Sequence, residues 1–220
     1  MQQLSNYEFD ITKELFSISL ANAADAFSKM ANEKVLLQGF EAKFIEMDDL
    51  NAIVKQFSEE KVYILRTEIK GKLRGRTYLL FHQKDIQTIF KIFAPPAVHE
   101  MAADGQLTDI QQDILLELDN ILSAAMVTQL SNFLDIFIYG DIPKYSYFNN
   151  QKLTNLFAKD MKAFESILHI QTSLQSFHTN MSPAFFCFFE ENFITITKDI
   201  IQNKKEKVLL KIKKSKEQKI

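Results

Sequence analysis

Apolar residues recur every three or four positions from Leu4 to Met30, and neither glycine nor proline interrupts them. That period predicts a long amphipathic helix over residues 4–30 with Ile11, Leu15, Phe16 and Ile18 on its buried side. Val35-Leu36-Leu37 reads as a short strand, and Asp48 and Asp49 as caps of a shorter helix running to Phe57. The period then changes to two. Val62–Ile69 and Arg76–His82 are β-branched and aromatic runs flanking Gly71-Lys72-Leu73-Arg74-Gly75, a hairpin whose glycines supply backbone angles that other residues avoid. Asp85–Phe93 returns to helical spacing, and Pro95-Pro96 ends it, because proline donates no hydrogen bond and restricts its predecessor.

Residues 94–106 form a seam, after which the plan repeats. A long helix over Thr108–Leu134 leads into a strand at Phe137–Tyr139 and then Pro143; a helix over Lys152–Phe164, strands at Ile167–Leu174 and Ala184–Phe189, and a helix over Glu190–Asn203 follow. An offset of 103 pairs Leu4 with Leu107, Asp10 with Asp113, Ile11 with Ile114, Glu14 with Glu117, Ile18 with Ile121, Ala21 with Ala124 and Ser28 with Ser131. The expectation is a single domain over residues 1–203 built from pseudo-repeats at about 4–93 and 107–203. Residues 204–220 add a tail of eight lysines and two glutamates, read as solvated, in which Val208–Ile212 is a candidate edge strand guarded by lysines.

Composition narrows the classes without choosing among them. A chain of 220 residues, 46% hydrophobic, buries one good core, and a formal charge of -2 favours neither nucleic acid nor an acidic ligand. Cys187 stands alone, which excludes an intrachain disulfide and a cysteine-based zinc cluster; its expected role is to fill the core. Glu8, Asp10 and Glu14 stand where a signal peptide needs a basic start, and no apolar run reaches the length of a membrane span, so a cytoplasmic protein is expected. His82, His99, His169 and His178 lack metal-ligand spacing, and strand positions for His82 and His169 point to ordinary packing. Neither a Gly-x-Ser-x-Gly elbow nor a phosphate-cradling glycine loop occurs.

The second long helix carries the candidate chemistry. At about 100° per residue, Ile114, Leu118, Ile121 and Ala125 share the side expected to face the core. The opposite side holds Asp109, Asp113, Glu117, Asn120, Ala124 and Ser131, and the first helix repeats it as Asp10, Glu14, Ser17, Ala21 and Ser28. Asp113, Glu117 and Asn120, followed after twenty-two residues by Pro143, resemble the signature of the CheC/CheX/FliY chemotaxis phosphatases: Asp or Ser, three residues, Glu, two residues, Asn, twenty-two residues, Pro. The first-copy segment SLANAADAFSKM also resembles the family's Gly-Asn-Ala-Ala-containing stretch. Where the family has glycine on either side of the Asn-Ile pair, this chain has Asp119 and Leu122, so local packing or docking is expected to differ. In the first copy Ser17 replaces the asparagine and Phe40 the proline.

The resemblance implies an α+β fold with a pseudo-two-fold duplicated unit, two long helices packed on a largely antiparallel sheet. It implies a protein substrate, a CheY-like response regulator phosphorylated on aspartate, whose Mg2+ belongs to the regulator; no cofactor is expected in this chain. Asn120 suits the placing of a water, because an amide accepts one hydrogen bond and donates another without bringing charge to the phosphoryl oxygens. Glu117 would repel that group unless paired, and the resemblance implies pairing with the regulator's lysine. Asp113 supports docking or helix geometry, and Pro143 shapes the loop after the strand. Asp10, Glu14 and Ser17 form a degenerate first site. The competing expectation is a non-catalytic adaptor that binds a regulator; a CheD-like partner and a monomeric or homodimeric state are compatible with both, and a nucleic-acid or membrane role for the lysine tail ranks last.

Overall fold

In the computed structural model, residues 4–32, 34–55, 62–102, 104–148, 150–160, 164, 166–175, 180–181, 183–190, 192–203, 209–210 and 212–214 are described. The first half runs α1 (Asn6–Ala31), β1 (Leu36–Ile45), α2 (Met47–Lys55), β2 (Val62–Gly71), β3 (Gly75–Phe81) and α3 (Gln83–Phe93). After a 3-10 turn at Pro96–Val98, the second runs α4 (Asp109–Leu134), β4 (Ile138–Gly140), β5 (Lys144–Phe148), α5 (Asn150–Asp160), β6 (Ser166–Gln175), β7 (Asn180–Met181), β8 (Ala184–Phe189) and α6 (Asn192–Asn203).

The two long helices begin and end alike. Ser5 caps α1 in a reciprocal box with Glu8, and Thr108 caps α4 in the same box with Gln111, so each helix start satisfies otherwise free amide groups. Both end in a left-handed residue, Asn32 with φ 52° and Asp135 with φ 53°. Ser28 receives the Val35 amide, while Ser131 donates to the Ile136 carbonyl, so paired serines tie each helix end to the chain that leaves it.

All strand pairs are antiparallel, and the sheet order is β1-β6-β8-β3-β2-β4, with β5 also on β2 and β7 on β6. Read from either edge, the order gives the same sequence of equivalent elements, with the pseudo-two-fold between β3 and β8. Each half lends its first strand to the other: β1 pairs with β6, and β4 and β5 pair with β2. The fold is the expected α+β arrangement with two long helices on an antiparallel sheet.

Strand alternation divides the interior into two cores. Leu65, Ile69, Leu79, Phe81, Phe185, Cys187 and Phe189 face α1, α3, α4 and α6. Ile64, Tyr78, Leu80, Phe186 and Phe188 face α2 and α5, which contribute Leu50, Val54, Leu153 and Phe157. β8 lies in the middle and is covered on both sides, which is why Phe185-Phe186-Cys187-Phe188-Phe189 is apolar without alternation. The Cys187 thiol packs 3.6 Å from the Met126 sulfur, and burial pushes its pKa up, in keeping with a core-filling role.

Several boundaries differ from those read off the sequence. β1 runs ten residues because Gly39, with φ 63°, and Phe40 form an irregularity that hides the strand's continuation. β5 was absent from the expectation, although Lys144-Tyr145-Ser146-Tyr147-Phe148 alternates with period two. β7 was also unforeseen, its two residues being too few to carry a period. Asp48 and Asp49 lie within the first turn of α2 rather than before it, and its expected end at Phe57 falls outside the described residues. Phe164 lies beyond α5. His82 precedes α3, its amide donating to Asp85, rather than ending a strand. Gly71 has the left-handed angle expected in the hairpin, φ 115°; Gly75 does not, and is small because a Cβ there would stand 2.5 Å from the Phe188 carbonyl oxygen. In the tail, Leu209-Leu210 and Ile212–Lys214 are helical, so the described part of the candidate edge strand is not a strand; Ile212 packs against the larger core.

Candidate functional site

Asp113, Glu117 and Asn120 lie on α4 at one-turn intervals, and all three are exposed. Among the described residues, no hydrogen bond or ion pair within the chain engages the side chains of Glu117 or Asn120. Ile110, 60% exposed, continues the same face one turn towards the N-terminus. The core-facing side is turned from the expected one: Leu115, Leu118, Leu122 and Met126 are buried, whereas Ile114, Ile121 and Ala125 are half-buried. The reason is that α4 rests on both the sheet and α1, so its buried arc is wider than a single stripe.

Beneath Asn120 sits a group that periodicity does not predict. Asp119 is fully buried, accepting a hydrogen bond of 2.7 Å from the Thr67 hydroxyl on β2 and one of 3.3 Å from the Ser123 hydroxyl one turn along its own helix. Burial raises its pKa to about 6, against the opposing pull of those two hydroxyls, and among the described residues no charged side chain contributes. Thr67 in turn is held in the sheet, where its carbonyl accepts from the Thr77 hydroxyl. A Cβ on Gly140 of β4 would stand 3.3 Å from the Thr67 methyl, so the strand after α4 closes over the same residue.

Pro143 is buried between β4 and β5, where the ladder's register breaks opposite Thr67 and Glu68: Gly140 pairs with Ile69 and Lys144 with Arg66, and between them the Asp141 amide donates to the Glu68 carbonyl. A residue without an amide proton loses nothing there. Phe40 occupies the corresponding gap of β1, opposite Thr172 of β6. The proline therefore shares a neighbourhood with α4 through Thr67 and Asp119.

On α1, Asp10 is exposed and Glu14 and Ser17 are half-buried. Asp119 has Phe16 as its counterpart, fully buried with its ring 6.4 Å from Phe189, and the Thr172 hydroxyl donates to the Gln38 carbonyl instead of reaching a helix. Leu15 and Ile18 line a cleft of about 780 Å³ with Phe133, Phe137 and the tail's Ile212. His169 is packed against Phe186 at 4.9 Å, and burial followed by the Lys43 charge lowers its pKa to about 4, in keeping with packing. His178 lies outside the described residues. Among the described residues no cluster of side chains is arranged to hold a metal ion, and no helix is long and apolar enough to cross a membrane.

No family model matches the chain. Among solved structures it is similar to FliY of Thermotoga maritima, with a TM-score of 0.65 at 15% identity, covering 92% of this chain and 100% of that one. The chain has a FliY-type fold. It is also similar to the FliM middle domain from H. pylori, with a TM-score of 0.54 at 10% identity over 89% of this chain and 99% of that one. A chain of the H. pylori FliG-FliM complex gives a TM-score of 0.59 at 10% identity, covering 85% and 94% respectively. At these identities the likeness establishes the FliY-type fold and leaves the chemistry to the residues on α4.

Proposed function

We propose that this chain is a phosphatase acting on the aspartyl phosphate of a CheY-like response regulator, in chemotaxis or a related two-component pathway. The observation that carries the reading is the exposure of Glu117 and Asn120, one turn apart and unengaged within the described chain, on the outward face of α4 in a FliY-type fold. Acyl phosphate hydrolysis has a good leaving group and asks chiefly for positioning. The Asn120 amide orients a water in line with phosphorus, its carbonyl oxygen accepting from the water and its NH2 remaining free to donate. Glu117 pairs with a lysine of the regulator, which docks the helix and keeps the carboxylate away from the phosphoryl oxygens. Asp113 extends the docking face, and the regulator carries the Mg2+. Ser17 on α1 offers a shorter hydroxyl in place of the planar amide, so turnover is assigned to α4.

A second reading is favoured by one observation: FliM structures share the fold, so this architecture also serves a non-catalytic binding module. Measuring the phosphate lifetime of a CheY-like regulator with the chain added separates the two. The phosphatase shortens it, and Asn120→Ala restores the long lifetime; equal rates for the wild type and that variant would dismiss the assignment. An adaptor retains the regulator and leaves the lifetime unchanged.

A further inference from the structure

Three features of Asp119 are difficult to reconcile with a packing role. It is fully buried in the interior of a helix, where an apolar side chain would cost nothing to desolvate. The other half of the molecule shows that the fold accepts such a residue, since Phe16 occupies the equivalent place. Among the described residues no cation compensates the carboxylate, whose partners there are the hydroxyls of Thr67 and Ser123, one on each oxygen. Buried polar groups retained against stability are found where a structure must hold one geometry rather than several.

The geometry held here is that of α4 relative to β2. The Thr67 bond crosses from the sheet to the helix at the residue immediately before Asn120, and the Ser123 bond fixes the carboxylate from the next turn. Together they set the rotation of α4 about its axis at this level, and hence the direction in which the next side chain leaves the helix. Apolar contacts alone are non-directional and permit small rotations.

We propose that Asp119 is a positioning residue that, through its bond to Thr67, locks α4 on β2 so that Asn120 presents its amide to the phosphorylated regulator. This rests on the phosphatase reading above. The Asp119-Thr67 pair acts through Asn120 and touches neither the water nor the phosphoryl group.

The test is a double-mutant cycle with a CheY-like regulator phosphorylated by acetyl phosphate in the presence of Mg2+. Thr67→Val and Asp119→Ala remove the bond; Thr67→Ser and Asp119→Asn keep an oxygen partner at each end. The expected result is a loss of about 10-fold in kcat for the first pair, since small misplacements of catalytic groups are costly, with regulator affinity within about 3-fold and with the second pair close to wild type. In an Asn120→Ala background, Thr67→Val should cause no further loss, because a residue acting through another has nothing left to position. Full activity of Thr67→Val, or a loss that persists undiminished in the Asn120→Ala background, overturns the proposal while leaving the phosphatase reading intact. Should Asp119→Ala fail to fold, the Thr67 pair alone decides. A wild-type chain that leaves the phosphate lifetime unchanged overturns both readings.

Discussion

Phe16 and Asp119 hold the same place on the two long helices, each fully buried over the sheet, and there the two halves part. Around them the halves remain close. The capping boxes, the left-handed ends, the serine ties and the ladder gaps at Phe40 and Pro143 coincide position by position. What differs is what stands over each gap. Over β6, the Thr172 hydroxyl turns to the Gln38 carbonyl, and Phe16 of α1 meets the sheet through its ring; over β2, Thr67 reaches up to Asp119 and fixes α4. The half that carries the asparagine also has a directional bond between helix and sheet at this level, from Thr67 to Asp119. A duplicated fold can keep its frame under loose apolar constraint on one side and spend stability on orientation only where one side chain must point accurately.

The largest test of this asymmetry is catalytic. Asn120→Ala is expected to lower phosphate release by about 10²-fold to 10³-fold, the range for losing one preorganised hydrogen-bonding group, while Ser17→Ala leaves it unchanged. Similar losses in both variants, read by regulator-phosphate decay, would mean that the first site still works.

Next comes the thermodynamic asymmetry. The carboxyl of Asp119 has a folded pKa of about 6 against an ordinary 3.8, so the folded state binds its proton more tightly than the unfolded chain. The stability this contributes is complete below pH of about 4 and is lost as the pH rises through about 6, a difference of roughly 3 kcal/mol. Asp119→Asn should therefore gain stability over wild type across that window in urea titrations. Parallel pH curves for the two proteins would show that the carboxyl is not buried as described.

Much of the frame was legible in the sequence before these differences were. The 103-residue offset, the long helices, the β2-β3 hairpin and β8 all follow from local period and from residues that satisfy or interrupt backbone hydrogen bonds. Helical spacing put Glu117 and Asn120 on one face, and the resemblance of Asp113, Glu117, Asn120 and Pro143 to a family signature singled them out. Thr67 was missed because its bond to Asp119 spans 52 residues, and nothing local to either residue signals the other. The lysine-rich tail was read from its charge, yet Ile212 is held by the apolar core between the long helices.

Smaller effects sharpen the shared frame. Gly39→Ala should destabilise by about 1–2 kcal/mol in thermal unfolding, the cost of a side chain at a left-handed φ, although a Cβ there would meet open space. An unchanged melting temperature would mean that β1 can run through its irregularity without the turn. Ser5→Ala and Thr108→Ala should each cost about 1 kcal/mol. Unequal losses, measured by chemical denaturation, would show that the two helix starts, alike in hydrogen bonding, differ in how much of the fold depends on them.

The sequence alone determined the duplicated order of elements, the two amphipathic helices and the outward row Asp113, Glu117 and Asn120, because periodicity and capping are properties of neighbouring residues. Tertiary structure decided that the halves exchange strands, that Pro143 fills a gap in a ladder, and that Asp119 lies buried against Thr67. Those depend on which distant segments share a layer, and the free energy of a buried carboxylate is set by its surroundings rather than by its neighbours in the chain.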